Sequence, residues 1–214
     1  LLVYFLDNDV ILKLAAYNLF GEMAACLKIQ REDFRVLSTA SQYFSRSYQV
    51  KQQYRQQSIQ RAKQVTEQYK PVQLASPNSE YELLLRIDGI HVGEALLVAA
   101  TQYEQDFYLL TGDKKFLKAI AASNLVTIKQ RLYKRIVCLE QLMLYMINYS
   151  EFDKVCRRVV SAESCDQVIN DAFSLGRQSK QKTVVKVLNQ AVEDLRLQTG
   201  DLLVESLSCL LPEP

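Results

Sequence analysis

Two apolar runs in this sequence end in acids. "VYFL", residues 3–6, is followed at once by Asp7, Asn8 and Asp9, and "FYLL", residues 107–110, by Thr111, Gly112 and Asp113. A third acid, Glu94, follows Gly93 and opens an Ala- and Leu-rich stretch. Open α/β folds gather ligand and catalytic groups at the C-terminal ends of their strands. If the two runs are neighbouring parallel strands, Asp7 and Asp113 share a sheet edge, and the Glu94 helix can begin at that edge. Crowded carboxylates repel one another, and a divalent cation relieves the repulsion. Oxygen ligands without a His or Cys cluster point to Mg²⁺ or Mn²⁺ rather than Zn²⁺. Such an ion suits phosphodiester hydrolysis, because it makes bound water acidic and stabilises charge on phosphate oxygens. The competing reading of each acid is a helix N-cap. Asp9, directly before Val10, reads as that cap; one helix needs one cap, so Asp7 is left for another task.

Other chemistries find little support. His91 is the one histidine in 214 residues, it reads as a loop histidine, and no Ser stands in a nucleophile-elbow context. The six glycines are too dispersed for a phosphate loop. Five cysteines (26, 138, 156, 165 and 209) have no CxxC spacing, which fits buried reduced thiols and a cytoplasmic setting. The most apolar long stretch, "CLEQLMLYMI", is too short and too polar to span a bilayer, so no membrane association is expected. A chain that begins with Leu is expected to have lost a leader or tag. Net charge is +2, unevenly placed: residues 1–137 carry 18 Lys and Arg against 13 Asp and Glu, net +5, and residues 138–214 carry 8 against 11, net −3. A basic front half is compatible with a polyanionic partner.

The elements that must position the acids follow from periodicity. The run from Leu1 to Leu6 predicts a strand covered on both faces, as in a parallel sheet between helices. Helical spacing resumes at Val10. "FRVLST", residues 34–39, predicts a second strand. Residues 46–70 hold six Lys or Arg and one acid without Gly or Pro, which predicts one basic helix, either a solvated face or an arm along phosphates. A short helix is expected from Ser79 and another after Gly93, then the strand at Phe107 and a further short strand at "NLVTI". From Cys138 the chain reads as helical. "SCDQ", residues 164–167, matches a capping box. Val184, Val187, Leu188, Ala191, Val192 and Leu195 form a broad stripe that must be buried on the front domain, on a second copy or on a partner.

The order of "YFLDNDVILKL", "GEALLVAATQ" and "LLTGDKKFLKAI" resembles the PIN domain family over residues 1–137. The resemblance implies a PIN-like central parallel sheet flanked by helices over residues 1–137, with residues 138–214 as an all-helical C-terminal extension. It further implies a Mg²⁺- or Mn²⁺-dependent ribonuclease, with RNA as partner, and the family includes many toxins of toxin–antitoxin pairs, held by an antitoxin-like protein. On this resemblance Asp7, Glu94 and Asp113 are the metal-holding catalytic acids, Thr111 is the hydroxyl that orients the site, and Asp9 is a structural cap. Two positions depart from the family pattern. The helix after the second strand offers Gln42 where the family often has Glu, and Lys115 stands where an acid often follows the last Asp. The alternative is therefore a catalytically impaired PIN-like module that binds RNA or a protein partner. A homo-oligomer is a further expectation.

Overall fold

The first strand is apolar throughout because it has neighbours on both edges and cover on both faces. The computed structural model describes residues 2–206, so Leu1 and Cys209 lie outside the described residues. β1 (Val3–Leu6), buried at every position, leads into α1 (Asn8–Ala16) and α2 (Phe20–Cys26). β2 (Phe34–Val36) is followed by α3 (Ala40–Arg46), α4 (Tyr48–Gln53) and α5 (Gln56–Thr66), then by the short β3 (Lys70–Pro71). α6 (Ser79–Leu84) and α7 (Val92–Ala100) precede β4 (Phe107–Thr111), α8 (Lys114–Ala122), α9 (Val126–Leu132) and β5 (Ile136–Cys138). Four further helices complete the chain: α10 (Leu139–Tyr149), α11 (Phe152–Ser161), α12 (Gln167–Ala172) and α13 (Gln181–Thr199).

The five strands form one all-parallel sheet in the order β3-β2-β1-β4-β5, flanked by helices and followed by a helical C-terminal region. The chain builds outward from β1 to β3, then crosses back to lay β4 on the other side of β1. Strand order therefore reverses between β1 and β4, and a crevice opens outside the carboxyl ends of strands at such a reversal.

Several expected elements differ. β2 ends at Val36 rather than residue 39, because its register with β1 runs only from Phe34 to Val36 before the chain turns into α3. The predicted basic helix over residues 46–70 is two helices and a strand end. Tyr54 and Arg55 are extended between α4 and α5; Tyr54 is buried there, and Arg55 is drawn to Glu163, with its N–H donating to Oε1 at 3.1 Å. "NLVTI" is not a strand but the approach to α9, whose Ile128 and Leu132 are buried one helical turn apart. The cap of α12 is Asp166, whose Oδ1 accepts from the N–H of Ile169, rather than Ser164.

Position 137 falls inside β5, and buried apolar side chains from both sides of it make one cluster. The α13 stripe packs within the chain, with Val184, Leu188, Val192 and Leu195 buried against α8, α10 and α12. Val187 and Ala191, on the same stripe, are half-buried. After α13 the chain returns to the sheet edge, where Leu203 bridges Ile136 and the Val204 N–H donates to the Ile136 carbonyl at 2.9 Å.

Candidate metal centre

The register of β1 with β4 pairs Leu6 with Leu110, so the next residues on each strand, Asp7 and Thr111, stand side by side at the switch point. Asp7 occupies the N-cap position of α1, yet its carboxylate makes no cap bond. Its Oδ2 instead accepts from the Thr111 hydroxyl at 2.8 Å. The same hydroxyl accepts from the Asp113 N–H at 3.1 Å. Thr111 therefore couples the acid of β1 to the acid that opens α8. Asp113 is a genuine N-cap, its Oδ1 accepting from the N–H groups of Lys115 and Phe116 at 2.8 and 3.0 Å. Glu94 lies in the first turn of α7, where its Oε2 accepts from the His91 N–H at 2.7 Å, the reach-back half of a capping box.

Electrostatics mark these groups as strained in their anionic form. Burial pushes Asp7 up to about 7; the nearby charges of Asp9 and Asp113 add to this, and the Thr111 bond opposes it. Burial likewise raises Glu94 to about 8, against the His91 bond and with the help of Asp7 and Asp113. Asp113 is near enough to Glu94 for its charge to act there, and a cation between the two would relieve the repulsion.

Asp9 is not the cap. It sits inside the first turn of α1, and its Oδ2 pairs with Lys13 Nζ at 2.7 Å one turn along. Asp7, Asn8, Asp9, Glu94 and Asp113 all line one cleft of about 640 Å³, with Thr39, Tyr43, Gln49, Gln53, Tyr54 and His91 among its other walls. No Lys or Arg is among the described residues that line it. Gln42 is exposed, outside that lining, and Lys115 is exposed with only its backbone engaged at Asp113.

The donor set fits a hard divalent cation in kind: several carboxylates, no thiolate, and a buried amide oxygen, Asn8 Oδ1, without a hydrogen-bond partner, with His91 the one imidazole on the wall. As the side chains stand, no group of three or more His, Cys, Asp or Glu among the described residues is set to hold a metal ion. Asp9 is drawn to Lys13, and the Asp113 charge opposes ionisation of Glu94. Comparison with models of protein families, with curated proteins and with solved structures gives no match.

Asp7, Glu94 and Asp113, chosen for their places in the chain, thus line one cleft, with Thr111 buried behind Asp7 and Asp113. Asn8 joins them on the cleft wall, and Lys13 and Asp166 pair behind Asp9, without having been chosen. Asn8 and Lys13 carry a signal in hindsight, since Asn8 adjoins Asp7 and Lys13 is one helical turn from Asp9. Asp166 is 153 residues from Lys13, and no local pattern connects them.

Proposed function

We propose that the chain is a Mg²⁺- or Mn²⁺-dependent ribonuclease of PIN type. The observation that carries this reading is the meeting of Asp7, Glu94 and Asp113 from three separate elements at the sheet's switch point, with Asp7 and Glu94 both displaced toward their neutral forms. Carboxylates so placed gain most from a cation, and a cleft wall without Lys or Arg gives phosphate little else to bind. Asp7, Glu94 and Asp113 would hold the ion, with Asn8 Oδ1 beside them. When bound, a divalent cation supplies Lewis acidity toward water and phosphate oxygens. The chain's own residues fix orientation: Thr111 holds Asp7 and the Asp113 backbone in register, and the His91 N–H holds Glu94. The order of motifs that resembles the PIN family, now seen on a five-stranded parallel sheet, supports the same reading, and a toxin role alongside an antitoxin-like partner would follow from it.

The test is cleavage of a mixed RNA pool in Mn²⁺ or Mg²⁺, with and without chelator. Asp113→Asn is the informative variant, because Asn also caps helices and the fold should survive. Cleavage that chelator stops and Asp113→Asn reduces at least 100-fold is the expected result; equal cleavage by variant and parent contradicts it. The exposed Gln42 and the absence of a ready-made three-ligand group among the described residues favour a second reading, a PIN-like module that binds RNA or protein without cutting. That module would bind RNA with strong salt dependence and no response to chelator.

A further inference from the structure

Lys13 is an unusual residue for its place. Its side chain is 10% exposed, and lysines are rarely buried without full pairing. Here its Nζ faces three oxygens: Asp9 Oδ2 at 2.7 Å, Asp166 Oδ2 at 3.0 Å and the Gly112 carbonyl at 3.5 Å. Two carboxylates and a carbonyl are the oxygen types that hold a hard cation, and here they surround an ammonium group instead. The cage is closely fitted. A Cβ on Gly112 would stand 2.5 Å from Asp9 Oδ2 and 3.2 Å from Lys13 Nζ, so a larger residue between Thr111 and Asp113 would displace the pair. Asp166 is fixed independently, its other oxygen capping α12.

We propose that Lys13 is the built-in cation of this centre: it occupies the place of a second metal ion, commits Asp9 to itself, and leaves Asp7, Glu94 and Asp113 to hold one divalent ion. Asp166 acts through Lys13 as a positioning residue from the C-terminal region. This rests on the metal-centre reading above. It makes Asp9 a charge partner rather than a ligand, and it ties residues after α11 to the state of the site.

The experiment is titration of Mn²⁺ into the parent, Lys13→Met and Lys13→Met/Asp166→Asn, read by calorimetry and by electron paramagnetic resonance. The double variant is included because it leaves one buried carboxylate unpaired rather than two, and the asparagine it introduces can still cap α12. The parent is expected to bind one ion with the six-line signal of isolated Mn²⁺. Each folded variant is expected to bind two, with a broadened, exchange-coupled signal. Two ions in the parent, or one ion bound with parental affinity by a folded variant, overturns the proposal and leaves the metal centre standing. No binding by the parent removes the metal centre and this proposal together.

Discussion

At the scale of single residues, Thr111 carries the most weight per atom. Its hydroxyl is both donor to Asp7 and acceptor from Asp113, and it is fully buried. Thr111→Val keeps the shape and removes both bonds, which should cost about 1–3 kcal/mol of stability and weaken Mn²⁺ binding by roughly 10-fold or more. Denaturant melts and calorimetry read the two effects separately. The acids themselves set a pH dependence. Asp7, at about 7, and Glu94, at about 8, hold protons in the folded state that the unfolded chain has already released at pH 5–6. Where the folded state binds more protons, stability falls as pH rises. Without metal, the contribution of these two groups is therefore fullest below about pH 4 and declines toward about pH 8. Thermal melts at pH 5 and pH 8 should differ in that direction, and saturating Mn²⁺ should narrow the gap by stabilising the ionised pair.

At the scale of elements, the junction between β4 and α8 shows how little room the site allows. Gly112→Ala places a methyl group against the Asp9–Lys13 pair and is expected to destabilise by about 1–3 kcal/mol. Gly21→Ala, in α2, meets nothing within 4 Å and should stabilise by roughly 0.5 kcal/mol. Denaturant titration of both variants checks the contrast. The elements nearest the site were the readable ones. β1 and β4 are short apolar runs cut off by acids, and α7 begins at Val92, two residues before its acid. The errors fall where tertiary contacts override local pattern. Residues 46–70 look continuous, but Tyr54 turns inward and Arg55 is engaged by the Ser161 carbonyl at the end of α11 and by Glu163 just beyond it. β3 is two residues long and exists only because β2 offers an edge. The "NLVTI" run carries β-branched residues, yet its burial is one helical turn apart.

At the scale of the whole molecule, the helical C-terminal region is part of the structure that holds the site. α13 covers α8, α10 packs on α2, and Asp166 reaches Lys13. A chain ended at Val137 would lose the α13 cover over α8. It is expected to lose the near-ultraviolet circular dichroism of the full chain and to bind an apolar dye. None of this long-range dependence is visible in periodicity, which reports that a stripe is buried but not what buries it. The same limit hides the Lys13–Asp166 pair, since two charges far apart in sequence look like any other surface charges until the fold brings them together. The central claim is that the acids at the switch point form a divalent-metal site. Calorimetric titration of Mn²⁺ into the parent and into Asp7→Asn tests it most directly. Binding by the parent that falls at least 10-fold in the variant is the predicted result, and identical heats from the two proteins, or no binding by either, would contradict it.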